Sequence, residues 1–323
     1  MPVTGPRPLA VGHRAPGFLA PGLCGVPALF YGQVGGRPSA LVFTDDPAVA
    51  SGLGRALAGR DDIAGWVVGR APESAGLPTW ADPDGTLRAR YGVPARASVA
   101  VVLDPNLRVA TVLAGTDLDI GLVGVLDSLL PAEPVVEVRG QAPVLFVPNA
   151  LAPDYRSRLI ELWGSGAAET GVQRSAGEAV EPALKRRRDH IVTAPELLRE
   201  LAAVVGRAVL PEVVQAFGFR ARRFEGFKIG CYEASTGGLF RAHRDNLSPA
   251  TAHRSFALTL NLSGDYAGGQ LRFPEYGAGL YRPDAGAALV FSCSLLHEVV
   301  EVTRGRRFVL LSFLSGDSPE RAG

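Results

Sequence analysis

The chain has 323 residues, with 33 Lys and Arg against 32 Asp and Glu and a formal net charge of +1. That length suits two domains, each able to bury its own core, and the charge balance supplies no field that would draw in nucleic acid or an anionic membrane. The three cysteines, Cys24, Cys231 and Cys293, are odd in number and far apart, which argues against a disulfide framework or a zinc ribbon and points to a reducing cytoplasm. No apolar h-region opens the chain, and no stretch approaches the ~18 apolar residues of a membrane span. A soluble, cytoplasmic protein is expected.

In chain order, apolar or β-branched runs at residues 40–43, 64–68 and 99–103 read as strands, and residues 48–57 and 118–130 as helices. Strands separated by helices predict an α/β layer fold. Turns are expected at Asp82-Pro83-Asp84-Gly85 and Asp104-Pro105-Asn106, where Pro presets φ and an Asp or Asn side chain can close the turn. Three prolines in residues 131–143 mark a linker, giving domains at 1–133 and 134–323.

The second domain opens with two amphipathic helices, residues 151–163 and 195–217, the first with a proline near its start. Short strand-like runs separated by Gly-rich turns follow, at 224–232, 239–245, 255–262, 270–273, 287–293, 296–302 and 308–314. Strands after supporting helices predict an α+β double-stranded β-helix, or jelly roll, backed by a helical layer.

Two residues apart on one strand, His243 and Asp245 face the same side ~6.6 Å apart and can reach one cation. His297 comes on a later strand that a jelly roll could return to the same mouth. Two histidines and one carboxylate leave coordination positions open, as non-haem Fe(II) chemistry requires. An isolated H-x-D is common by chance, and what raises this one is the order that follows: a Gly-Gly hairpin, then His297, then Arg307. With a turn at residues 303–306, Arg307 would begin a strand antiparallel to the one bearing His297, ~16 Å along the ladder. Its planar fork suits a carboxylate, whereas Arg304 and Arg306 read as solvated hairpin residues.

Lys185-Arg-Arg-Arg-Asp-His190 is the densest basic run. Such a run is ordinarily a solvated face, with guidance of an acidic substrate as the alternative. His190 and His253 have no spaced partners and stay outside the metal site. Asn246 and Arg254 flank the clamp and are candidates for touching substrate.

Taken together, residues 146–314 resemble the prolyl-4-hydroxylase-like group of 2-oxoglutarate/Fe(II) dioxygenases. The matching positions are Tyr232, Phe240, His243 and Asp245, then Leu258-Thr-Leu-Asn-Leu262, Gly268-Gly-Gln-Leu-Arg-Phe-Pro274, Gly286-Ala-Ala-Leu-Val-Phe291, and His297-x9-Arg307. The resemblance implies Fe(2+) on His243, Asp245 and His297. It also implies 2-oxoglutarate anchored by Arg307 with help from Tyr232, O2 as co-substrate, and L-ascorbate as a reductant available to the group. The implied reaction hydroxylates a small-molecule or peptidyl C–H bond with decarboxylation of 2-oxoglutarate to succinate. Two departures set prolyl peptide aside: a slightly longer loop before His243, and Arg307 where collagen-type members carry lysine. Asp245 favours hydroxylation, because related halogenases lack this carboxylate. The Arg-x-Asn-x5-Arg signature of nucleic-acid demethylases is absent. The alternative is a non-catalytic iron or 2-oxoglutarate sensor with the first domain as output module.

Residues 8–130 resemble thioredoxin-like proteins of the peroxiredoxin group through Val11-Gly-His-Arg-Ala-Pro-Gly-Phe18, Ala81-Asp-Pro-Asp-Gly85, Tyr91-Gly-Val93 and Val101-Val-Leu-Asp-Pro105. A peroxiredoxin places a thiolate after the 41–43 strand, and residues 44–51 contain no cysteine. No peroxidase activity is expected. A role in presenting substrate, or in association with a partner protein or a second copy, is the remaining expectation.

Overall fold

The computed structural model describes residues 9–21, 27–34, 36–70, 77–115, 118–129, 137–138, 140–169, 172–174, 177–179 and 181–316. Cys24 and the linker residues 131–136 and 139 lie outside them. The chain divides into two compact units, Met1–Val136 and Glu137–Gly323.

In the first unit, the wholly apolar runs become strands covered on both faces. The five strands β1 (Ser39–Phe43), β2 (Ala64–Gly69), β3 (Thr79–Ala81), β4 (Val99–Leu103) and β5 (Val109–Ala114) form one sheet in the order β3-β2-β1-β4-β5. β1, β2 and β3 run parallel, and β4 and β5 join antiparallel. Every residue of β1, β2 and β4 is buried, as expected of a sheet with layers on both sides. On one face Leu41, Phe43, Trp66 and Val68 pack with Phe18, Phe30 and Trp80. On the other, Ala40, Val42 and Val67 meet Leu53 of helix α1 (Pro47–Ala56) and Leu122 of helix α3 (Leu118–Ser128). The edge strands β3 and β5 are only partly buried, which is why apolar patterning alone did not mark them. Asp46 caps α1 by accepting from the Ala48 amide at 2.8 Å. The carboxylate of Asp82, in the expected turn, accepts from the Leu87 and Arg88 amides of helix α2 (Thr86–Arg90), each at 2.9 Å.

The second unit is built on alternation. Strands β6 (Val144–Val147), β8 (Arg188–Ile191), β9 (Lys228–Glu233), β11 (Phe256–Asn261), β14 (Ala288–Ser292) and β16 (Val302–Ser315) belong to a nine-stranded sheet. Its main run is β6-β14-β11-β16-β9-β8 followed by Ala168–Glu169. A five-stranded sheet contains β7 (Lys185–Arg186), β10 (Leu239–His243), β15 (His297–Val299), β12 (Leu271–Arg272) and β13 (Leu280–Tyr281), in that order.

On the larger sheet Ile229, Cys231, Leu258, Leu260, Phe308 and Leu310 face outward. They pack against Leu159 and Trp163 of helix α4 (Pro153–Gly164) and Leu201, Val205, Val209 and Val213 of helix α5 (Pro195–Phe217). The four-residue spacing on α5 gives that helix one apolar stripe. The intervening residues Tyr232, Ala257 and Val309 turn inward to meet Leu271, Phe273, Phe291 and Val299. Two faces of one sheet thus serve two ends: a dry helical layer outside and a cavity inside.

Three expectations are corrected here. Strand β10 stops at His243, so Asp245 lies beyond the strand, its amide donating to the Cys293 carbonyl at 3.0 Å. Residues 303–306 are not a turn; they belong to β16, while the chain crosses between sheets at Val300 and Glu301. Arg307 consequently pairs with Tyr232 in the larger sheet rather than with the strand of His297. The crossing is tight: at Gly268, φ +74°, a Cβ would stand 2.1 Å from the Glu301 carbonyl oxygen, so the first glycine of Gly268-Gly269 is required where the two segments touch. Among the described residues no helix is long and apolar enough to cross a membrane.

Candidate metal and co-substrate site

His243 and His297 are cross-strand partners in the smaller sheet. This brings two imidazoles together across a ladder that is irregular between Phe240 and His243. The Asp245 carboxylate lies between them: its two oxygens stand 3.5 Å from His243 Nε2 and 3.5 Å from His297 Nε2. One ligand atom from each of the three residues lies within 4.8 Å of the others.

The tautomers favour a cation. His243 Nδ1–H donates to the Arg241 carbonyl at 2.7 Å and His297 Nδ1–H to the Leu295 carbonyl at 3.0 Å. Both Nε2 atoms are therefore the ring nitrogens aimed at Asp245, and in the neutral rings they are the ones that carry the lone pairs. Burial pushes His297 toward its neutral, ligating form. Burial raises the Asp245 carboxyl, but the positive charge that His297 and His243 carry when protonated, with the hydrogen bond His243 then donates, holds it below its usual range. Phe240 stacks on His243 with ring centroids 3.6 Å apart, and Phe291 meets His297 edge-on at 4.6 Å.

Ion pairs pin the segments around Asp245. Arg244 holds Glu275 through both oxygens, at 2.7 and 3.1 Å, and also donates to the Ser294 carbonyl. Arg254 pairs with Glu225, covers the Phe313 ring at 4.0 Å and donates to the Asp245 carbonyl at 3.3 Å. Of the two flanking candidates, Arg254 lines the cavity, whereas Asn246 donates its amide to Ser294 Oγ at 2.9 Å.

His297, His243, Asp245, Tyr232 and Arg307 all line one cavity of about 430 Å3, within the size range of small-molecule sites. Arg307 is 2% exposed, and among the described residues no carboxylate pairs with it. Its Nε donates to Asn261 Oδ1 at 3.3 Å. The Asn261 amide nitrogen is turned the other way, toward the Tyr266 hydroxyl and the Pro283 carbonyl, both at 2.8 Å. A buried guanidinium facing a neutral amide is a site prepared for an anion.

Sequence reasoning missed several members of this cavity. The basic run is not a solvated face: Lys185 is 7% exposed, Asp189 2%, and Arg187 lines the cavity beside Lys185. Burial pushes the Lys185 ammonium down to about 8, with Arg187 adding to the effect and Asp189 opposing it. Thr259 also lines the cavity, and Asn261 holds Arg307. Their signal was polar residues at period two within Phe256–Asn261, a run whose other positions are apolar. His190 and His253 lie outside the triad, the latter bonded to Glu225.

With the geometry in place, comparison places residues 227–315 in the 2OG-Fe(II) oxygenase superfamily. The carboxyl-terminal unit thus carries a 2OG-Fe(II) oxygenase domain, a class that uses Fe(2+) and 2-oxoglutarate with O2, and its triad and anion-ready arginine fit that donor set.

A PKHD-type hydroxylase of Synechococcus sp. (strain JA-2-3B'a(2-13)) is 28% identical over 176 residues, 52% of this chain and 66% of the relative. The chain therefore spans just under two thirds of that relative's length. A PKHD-type hydroxylase of Caulobacter sp. (strain K31) is 42% identical over 67 residues, 20% of this chain and 30% of that protein. Among solved structures, a Trichoplax adhaerens prolyl hydroxylase in complex with a hypoxia inducible factor peptide fragment matches 54% of this chain and 84% of its own at 16% identity and TM-score 0.45.

Proposed function

We propose that the chain is a Fe(II)- and 2-oxoglutarate-dependent dioxygenase that hydroxylates an unactivated C–H bond of a small-molecule or peptidyl substrate. The observation that carries this reading is the meeting, in one cavity, of a His/Asp/His triad with both Nε2 atoms turned toward the carboxylate and a buried arginine with no carboxylate partner among the described residues. When bound, iron, 2-oxoglutarate and O2 supply the oxidising chemistry, one oxygen atom passing to the substrate carbon and the other to succinate as CO2 leaves.

The chain's own residues supply geometry. His243, Asp245 and His297 hold the cation from one side, leaving the other side for ligands. Arg307 receives the distal carboxylate, with Tyr232 beside it on the neighbouring strand. Phe240, Phe291 and Val299 exclude water from the metal's surroundings. The buried, unpaired thiols of Cys231 and Cys293 suit a reducing, cytoplasmic setting. Residues 1–133 are read as a thioredoxin-like module without the peroxidatic cysteine, on the strength of the parallel β1–β2–β3 core extended by antiparallel β4 and β5. In this reading it associates with a substrate, a partner protein or a second copy.

The test is a turnover screen of the full chain with Fe(II) and 2-oxoglutarate over amino acids, peptides and metabolites, reading succinate and product mass. Succinate formed in step with a product heavier by one oxygen is expected. Tight binding of Fe(II) and 2-oxoglutarate with no turnover of any candidate would favour the sensor instead.

A further inference from the structure

Arg187 sits where the chain passes from β7 in the smaller sheet to β8 in the larger one. Its guanidinium is used on two sides. Nε and Nη2 donate to the two oxygens of Asp189 at 2.6 and 2.9 Å, and Nη1 donates to the Tyr232 hydroxyl at 3.0 Å. Both members of the ion pair are buried, their side chains 9% and 0% exposed.

The pair lies flat across β9 because residue 230 is glycine: a Cβ there would stand 2.9 Å from Asp189 Oδ1 and 3.0 Å from Arg187 Cδ. Gly230 has no positive φ, so what the glycine provides is space. Tyr232 is 2% exposed, and two guanidinium groups stand near its ring, Arg187 at 5.4 Å and Arg307 at 5.5 Å. Asp189 neutralises the first, whereas the second faces the cavity beside a neutral amide.

A guanidinium has no lone pair to offer, so Arg187 can only donate, and the Tyr232 oxygen must accept. The phenolic proton is then left for a different partner, and among the described residues no acceptor takes it. The geometry points to Arg187 as a positioning residue for co-substrate binding: it commits the Tyr232 hydroxyl to donate into the cavity, next to Arg307, toward the distal carboxylate of 2-oxoglutarate. This inference rests on the reading of the cavity as a 2-oxoglutarate site. A charged donor on the phenol oxygen also polarises the O–H bond, so the hydroxyl donates more strongly than an isolated tyrosine would. Asp189 keeps the cation in place and Gly230 keeps the pair against the ring.

The experiment is calorimetric titration of the full chain loaded with Mn(II), with two oxo acids in parallel. One is 2-oxoglutarate; the other is 2-oxobutyrate, which keeps the chelating end and lacks the distal carboxylate. Arg187→Met and Tyr232→Phe are each expected to weaken 2-oxoglutarate about tenfold, the loss of one strong hydrogen bond, and to leave 2-oxobutyrate within about twofold. The double variant should be no weaker than either single one, Arg187→Lys should recover most of the affinity, and Gly230→Ala should shift 2-oxoglutarate binding in the same direction as Arg187→Met.

Unchanged 2-oxoglutarate affinity in Arg187→Met overturns the inference. So does an equal loss for both oxo acids, which would mark a merely structural role, or additive losses in the double variant, which would place Arg187 directly on the anion. If Arg187→Met does not fold, Gly230→Ala and Tyr232→Phe carry the same comparison. Wild-type protein that binds the two oxo acids equally well removes the distal-carboxylate site itself, and with it the 2-oxoglutarate reading.

Discussion

Asp245→Ala is expected to lose at least about 100-fold in Fe(II) affinity, beyond the range seen when only the partners of a metal ligand are removed, and to form no succinate above background. Asp245 is the one anion of the triad, and each of its oxygens faces a histidine Nε2 at 3.5 Å. Without it, the two imidazoles are all that remains of the triad, and no anionic ligand offsets the charge of a divalent cation. The fold should survive. The Asp245 amide bond to Cys293 and the Arg254 bond to the Asp245 carbonyl involve only the backbone of residue 245, and both persist in alanine. Metal titration and thermal unfolding of the variant separate loss of a ligand from loss of structure. A variant that keeps wild-type metal affinity would remove Asp245 from the site.

Arg307→Met carries the second large effect, and its two consequences have opposite signs. Truncating one side of a buried, hydrogen-bonded charge pair costs about 2–5 kcal/mol. The variant should therefore bind 2-oxoglutarate at least ~30-fold more weakly. In the ligand-free protein, however, Arg307 is a cation at 2% exposure facing the neutral Asn261. Replacing it with an apolar side chain of similar length removes a desolvation penalty. The unfolding temperature of the empty variant is expected to equal or exceed that of the wild type, whereas the stabilisation gained on adding 2-oxoglutarate should disappear. An empty variant that is strongly destabilised would mean that Arg307 is a structural residue of the barrel. Arg307→Lys should fall between the two, keeping the charge and losing the fork.

The part of this candidate site legible in the sequence was the set of residues able to ligate a cation, because coordination chemistry restricts residue types. His243, Asp245, His297 and Arg307 were chosen by type and order, and all four line one cavity in the structure. Their placement was less legible. The reading of His243 and Asp245 as neighbours on one strand assumed regular pleating, and β10 ends at the first of them. Arg307 was set on a hairpin with His297 because four residues with a glycine resemble a turn, whereas Gly305 lies within a strand that pairs with Tyr266. Only nonlocal pairing decides between the two.

The basic run misled for a related reason. Lys185, Arg187 and Asp189 alternate with Arg186 and Arg188, a period-two pattern that in apolar residues would have marked an inward face. Written in charges, the same pattern reads as solvent exposure unless their mutual pairing is known. In the first unit the fully buried strands β1, β2 and β4 were visible as apolar runs, while the half-exposed edges β3 and β5 were not. Sheet order there follows from parallel pairing between segments distant in sequence, which local patterning does not encode.

The most direct measurement is an anaerobic Fe(II) titration of the full wild-type chain, followed by 2-oxoglutarate, with metal and co-substrate stoichiometry read at each step. One Fe(II) per chain, with 2-oxoglutarate then binding tightly only to the metal-loaded protein, is the expected result. A chain that takes up no Fe(II), or that binds 2-oxoglutarate equally well with and without metal, would contradict the assignment of His243, Asp245, His297 and Arg307 to one site.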